Sequence, residues 1–154
     1  MVVGYGPTGK QVVNVLNEQN LNPVIIDTNI DTINSLSPQG FSVVYGDSSQ
    51  KEILFAAGIK NAEYLIITIP SLPLTLEIAT LASSLNPKTK ILARARFLDH
   101  KENLKQAGVS QAAFEEAEVA KALTSLLLDD LKNQNLLTTA SEMASQSTEE
   151  EKHK

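Results

Sequence analysis

The chain alternates short apolar runs with longer amphipathic stretches, and small or polar residues mark each change. Met1-Val2-Val3 reads as a brief apolar strand. Val12, Val13, Val15 and Leu16 follow at helical spacing, and Asn20-Leu21-Asn22-Pro23 ends that helix. Pro23 to Asp27 reads as a second, buried strand, and Asn29 to Leu36 as a helix with Ile30, Ile33 and Leu36 on one face. Ser37-Pro38-Gln39-Gly40 stops it, and Phe41 to Tyr45 gives a third strand. After Gly46-Asp47-Ser48-Ser49, the spacing predicts a short helix over Gln50 to Ala57, capped by Ser49 and ended by Gly58. Glu63 to Ile69 is the most hydrophobic run and reads as a buried central strand.

The second half continues the alternation. Pro70-Ser71-Leu72-Pro73 turns the chain into a helix over Leu74 to Leu85, which Asn86-Pro87 ends. Lys90 to Arg96 predicts a fifth strand, Leu98 to Ala107 a helix closed by Gly108, and Ala112 to Glu115 a weak sixth strand. Val119 to Leu131 is a last amphipathic helix. Periodicity fades beyond Asn133, and the polar, Ser- and Glu-rich stretch that follows predicts a disordered tail over 133–154 behind one domain, 1–132. Strands alternating with helices through short loops imply a parallel sheet with right-handed crossovers. Six such units predict an α/β, Rossmann-type doubly wound parallel sheet of strand order 3-2-1-4-5-6, with helices on both faces.

Composition narrows the partners. The 154 residues are 42% hydrophobic but only 5% aromatic, without Trp, so an aliphatic core is expected. A formal charge of −5 argues against nucleic acid as the main partner. There is no Cys, which excludes disulfides, thiolate nucleophiles and thiolate metal sites. No run of about 18 apolar residues is present, so this stretch itself is not expected to span a membrane. Only three residues precede Gly4, against about 5–6 in a typical strand. That clipped central strand predicts that sequence upstream of Met1 belongs to the functional unit.

Candidate chemistry gathers at the strand ends. Gly4-Tyr5-Gly6-Pro7-Thr8-Gly9 is a G-x-G-x-x-G turn between a strand and a helix. In such a turn Gly4 permits the tight bend, Gly6 lets the backbone approach a pyrophosphate, and Gly9 lets helix and sheet pack closely. The helix N-terminus offers N–H groups and partial positive charge to phosphate. Pro7 supplies no N–H, which leaves Gly6, Thr8 and Gly9 as backbone donors. Asp27 stands 18 residues after Gly9, near the spacing at which an acid meets a ribose hydroxyl, and Thr28 follows it. An acid there favours NAD or an adenosine nucleotide and repels the 2′-phosphate of NADP. The plainer alternative is a solvated Asp closing a strand. Asp47 and Ser48, Ile69 and Pro70, and Arg94 with Arg96 complete the strand-end set. Asp47 has a second reading as a turn cap through its own backbone, and the arginines as a solvated strand end with weak ion pairs.

Taken together, Gly4 to Gly9, the Asp27 strand end, Gly46-Asp47-Ser48-Ser49 and Ala93-Arg94-Ala95-Arg96 with His100 beyond it resemble the RCK/KTN, or TrkA N-terminal, nucleotide-binding domain. The resemblance covers roughly residues 1–130 and is closest to the C-terminal regulatory domain of Kef-type potassium–proton antiporters. It implies a cytoplasmic, dimeric regulatory module that binds NAD(H), AMP or another adenine nucleotide and passes its binding state to a membrane antiporter or channel domain. Some Kef-type members also bind glutathione, with an arginine of the Ala-Arg-Ala-Arg region taking part. By position, Gly4, Gly6, Pro7, Thr8 and Gly9 would face pyrophosphate and Asp27 with Thr28 the ribose. Asp47 and Ser48 would border adenine, Ile69 and Pro70 the ribose side, and Arg94 an anion. The family often has Pro-Glu before its last helix; here Glu115-Glu116 stands there, so Glu116 alone carries that phosphate or metal role.

Sensing needs no bond-making, so the resemblance implies no enzyme activity. A small NAD-dependent oxidoreductase is the alternative, and a stand-alone nucleotide-binding scaffold is a third. The oxidoreductase would need a substrate domain and an acid/base near the nicotinamide. None of Tyr5, Tyr45 and Tyr64 has a Lys four positions later, which removes the common short-chain dehydrogenase arrangement.

Overall fold

A computed structural model describes residues 1–150, with side-chain surroundings for residues 1–134. The chain divides into a first compact unit, Met1–Glu115, and a second beginning at Glu116. The first unit holds six strands: β1 (Val2–Val3), β2 (Ile25–Asp27), β3 (Val43–Tyr45), β4 (Tyr64–Ile67), β5 (Lys90–Ala95) and β6 (Gln111–Phe114). Every neighbouring pair is parallel, and the order is β3-β2-β1-β4-β5-β6. The Rossmann-type sheet expected from the alternation is therefore what the chain forms.

The strand period of two explains both faces of the sheet. Val2 stands level with Ile25 and Ile66, and Val3 level with Ile26 and Ile67. Val2 and Ile25 pack with Val13 of α1 (Pro7–Glu18) and Leu36 of α2 (Ile30–Leu36). Val3, Ile26 and Ile67 face the other way. They join Leu54 of α3 (Lys51–Ala56), Ile78 of α4 (Leu72–Leu85) and Leu104 of α5 (Lys101–Gln106). β1 has only two residues yet sits fully buried at the centre of the sheet. The progression of strand order reverses between β1 and β4, which opens a crevice at their carboxyl ends.

Local details depart from the expected boundaries. β3 begins at Val43 rather than Phe41, because the Phe41 N–H turns back to the Leu36 carbonyl at 3.4 Å. Gln50, not Ser49, is the N-cap of α3, and the Ser49 N–H instead donates to Asp47 Oδ1 at 2.9 Å. Leu98–His100 forms a 3-10 turn ahead of α5. The last helix, α6, runs Glu115–Glu150, starting before Val119 and continuing past Leu131 into the stretch expected to be disordered. No Pro or Gly between Leu131 and Glu150 interrupts it. Residues 151–154 of that expected tail lie outside the described residues. On α6 itself Val119, Leu123, Leu126, Leu127 and Leu131 recur at helical spacing and are exposed.

Candidate functional site

β1 ends in a bend that only glycine makes without strain. Gly4 has φ +86°, and its N–H donates to the Ile26 carbonyl at 2.9 Å, tying the bend to β2. Gly9, in the first turn of α1, lies so close to this bend that a Cβ built on it would stand 1.9 Å from the Gly4 carbonyl oxygen. The helix can approach the strand end only because that atom is missing. Thr68, just past β4, closes the other side. Its buried Oγ1 is 3.0 Å from the Val3 carbonyl and 2.9 Å from that of Gly4, sharing one proton between them.

Gly6 is the N-cap of α1 in extended backbone, Pro7 opens the helix, and no side chain caps it. The Lys10 N–H is the first to find a helical partner, the Gly6 carbonyl at 2.8 Å. The N–H groups of the first turn are thus left for something beyond the helix end. A Cβ on Gly6 would meet nothing within 4 Å. Gly6 therefore faces open space, whereas Gly9 faces backbone.

Asp27 joins two loops. Its Oδ2 accepts from the Tyr5 N–H at 2.6 Å and its Oδ1 from the Asn29 N–H at 2.8 Å. Two charge-assisted bonds to backbone hold the glycine turn beside β2 and fix the carboxylate's direction. Each carboxylate oxygen retains acceptor capacity for a diol. Asn29 in turn caps α2, its Oδ1 accepting from the N–H of Asp31 at 2.9 Å and Thr32 at 3.4 Å.

These elements enclose a cleft of about 280 Å³ at the carboxyl edge of β1 and β4. Gly4, Gly6, Pro7, Thr8, Asp27, Thr28, Asp47, Ser48, Ile69, Pro70 and Arg94 all line it. Gly9 is not on the wall; it lies behind, where it sets the helix position. Asp47 does cap its own turn, through the bond to Ser49, while also lining the cleft. Ser48 is buried beside it. Glu116 is the first residue of the second unit.

The two arginines separate. Arg94 lines the cleft, and its Nε–H donates to Glu115 Oε1 at 2.6 Å. β5 stops at Ala95, so Arg96 leaves the strand and stacks on Phe97, 5.0 Å from the ring centre. His100 meets the same ring edge-on at 5.5 Å. Sequence reasoning placed Gly46 at the ligand-facing strand ends but missed Thr68 and the apolar walls Val3, Ile26, Leu74 and Ile78 as cleft residues. A hydroxyl at the end of an otherwise aliphatic run was the available signal for Thr68. Among the described residues no group of three or more His, Cys, Asp or Glu is placed to hold a metal ion, and no helix is long and apolar enough to cross a membrane.

Comparison with known proteins places this arrangement. The glutathione-regulated potassium-efflux system protein KefC of Cronobacter sakazakii is 33% identical over 131 residues, 85% of this chain. The chain spans 21% of that relative's length. The TrkA-N domain of the inner membrane protein ybaL from Escherichia coli superposes with a TM-score of 0.79 at 31% identity, covering 82% of this chain and 93% of that one. The Kef C-terminal domain of Shewanella denitrificans in its AMP-bound form gives 0.69 at 34% identity over 81% of this chain and 78% of that one. The GsuK channel bound to NAD gives 0.66 at 26% identity over 73% of this chain and 20% of that one. The TrkA-N domain model matches residues 1–115, the whole of the first compact unit, and the chain accordingly belongs to the TrkA-N domain family.

Proposed function

We propose that this chain is the nucleotide-binding regulatory domain of a Kef-type potassium efflux system, lying at the cytoplasmic face of the membrane. The observation that carries the reading is the convergence of an uncapped helix start, Asp27 and Arg94 on one cleft at the switch point of the sheet. The similarity to an AMP-bound Kef domain and an NAD-bound channel supports an adenine nucleotide as the ligand. In this reading the N–H groups of Gly6, Thr8 and Gly9 hold phosphate. Asp27, already aimed by Tyr5 and Asn29, takes the ribose hydroxyls with Thr28 beside it. Asp47 and Ser48 border the base, Ile69 and Pro70 form an apolar wall, and Arg94 meets a phosphate. A phosphate or metal contact from Glu116 belongs to the same proposal.

The domain works by binding rather than by chemistry. Of the ionisable groups on the cleft walls, Asp27 and Asp47 are engaged in holding loops and Arg94 is paired with Glu115. One ligand state favours one arrangement of a dimer, and the attached antiporter follows that preference. The exposed apolar stripe on α6 supports dimerisation, since a second copy would cover it. Glutathione control, named in the KefC relatives, would act on the same assembly.

Calorimetric titration with AMP, NADH, ATP and NADPH, alongside light scattering, tests the reading. A dimer that binds AMP or NADH with micromolar affinity, discriminates against NADPH and shows no turnover is expected. Failure to bind any of the four would overturn it.

A further inference from the structure

Among the described residues lining the cleft, Arg94 is the only cation, and it comes already paired. Its Nε–H is committed to Glu115 Oε1 at 2.6 Å, a bond that does not use the Nη groups of this cleft-lining guanidinium. Asp27 and Asp47 add negative charge to the same walls. Against these carboxylates stand one guanidinium and the partial positive charge of the α1 start. Such a site tolerates a small phosphate charge and resists a large one. We propose that Glu115 is a specificity-determining residue that limits how much phosphate charge the cleft accepts, selecting monophosphates and dinucleotides over triphosphates.

The inference rests on the nucleotide-binding reading above and assigns a ligand class to that site. AMP carries about two negative charges at neutral pH, and each further phosphoryl group adds roughly one. Glu115 acts on them through space while holding the guanidinium that attracts them. Its two effects are separable. As a hydrogen-bond acceptor it aims Arg94; as an anion it offsets Arg94's charge. By Coulomb's law a like charge several ångströms away weakens binding by roughly threefold per unit of ligand charge in water, and by more in a partly desolvated cleft. Two extra charges therefore correspond to about a tenfold difference between AMP and ATP. The pair is partly exposed, with side chains 29% and 40% accessible, so exchanging Glu115 leaves the fold intact.

The test measures Kd for AMP, ADP and ATP, free of divalent metal and at low salt, with the wild-type chain, Glu115→Gln and Glu115→Ala. Gln keeps an acceptor for the Arg94 Nε–H and removes the charge; Ala removes both. The wild type is expected to prefer AMP to ATP. Glu115→Gln should shift the AMP-to-ATP affinity ratio about tenfold toward ATP, with ADP between, and 0.5 M salt should shrink the shift. Equal changes for AMP and ATP would overturn the proposal and leave Glu115 as a positioning residue only. A wild type that prefers ATP would overturn it as well. A wild type that binds none of the three takes down the nucleotide reading itself, which sets that failure apart from an unchanged ratio.

Discussion

Two alanine substitutions three residues apart separate the architecture of the turn from its ligand role. In Gly9→Ala the new Cβ would stand 1.9 Å from the Gly4 carbonyl oxygen and 2.9 Å from Thr68 Oγ1. Contacts under 3.0 Å are essentially never adopted by a Cβ, so the backbone must part by about 1 Å or more. Gly4 cannot yield freely, since its N–H is bonded to Ile26 and its carbonyl to Thr68. Overpacking of this kind costs about 1–3 kcal/mol, and loss of the Thr68 bond adds about 1 kcal/mol. A total of roughly 2–4 kcal/mol should lower Tm by roughly 10 °C in a unit of this size. Gly6→Ala differs because its Cβ meets no protein atom within 4 Å and its φ of −67° suits any residue. Alanine is a poorer N-cap than glycine, a loss of about 1 kcal/mol or less. Tm should then fall by no more than about 4 °C, while AMP and NADH affinity should drop about tenfold or more, because the methyl occupies the phosphate approach. Scanning calorimetry and titration on both variants make the comparison. A Gly9→Ala protein with wild-type Tm would refute the close-approach argument. Unchanged affinity in Gly6→Ala would refute the placement of phosphate.

Other perturbations probe the supports of the cleft. Asp27→Asn removes the charge and one of two acceptors for the Tyr5 and Asn29 N–H groups; NADH affinity should fall about tenfold and discrimination against NADPH should narrow, both read by titration. Thr68→Val keeps the shape but deletes the hydroxyl shared by Val3 and Gly4, and urea unfolding should show a loss of about 1–2 kcal/mol. Asn86→Ala should lose about 2 kcal/mol in the same assay, without affecting ligand binding. The Asn86 Nδ2 donates to the carbonyls of Ile59, Lys60 and Ala62 at 2.9–3.2 Å, on the edge opposite the cleft.

Much of this arrangement is legible in one sequence because a parallel sheet demands short aliphatic runs set between turn residues. Val24-Ile25-Ile26 and Leu65-Ile66-Ile67 announce themselves in this way, and strand order follows from the alternation. The glycine turn and Asp27 are legible because their spacing reflects the length of one strand–helix–strand unit. What stays hidden depends on register between distant segments. Nothing local to Thr68 says that its hydroxyl lands on the carbonyls of Val3 and Gly4, 65 and 64 residues earlier. Strand alternation places residues two apart, such as Arg94 and Arg96, on one face only while the strand lasts, and β5 ends at Ala95. The acid that meets Arg94 is Glu115, one residue before the position the family pattern marks, because α6 begins there. Side chains at element ends are the ones that local pattern leaves open.

The most direct test follows the backbone amides themselves. The uniformly 15N-labelled chain, titrated with AMP and then NADH, reports on each N–H by its chemical shift. Saturable, micromolar shifts largest at Gly6, Thr8 and Gly9, with smaller ones at Thr28 and Ser48, are predicted for a nucleotide held at the start of α1. Shifts confined to other parts of the sheet, or none at saturating ligand, would contradict that account.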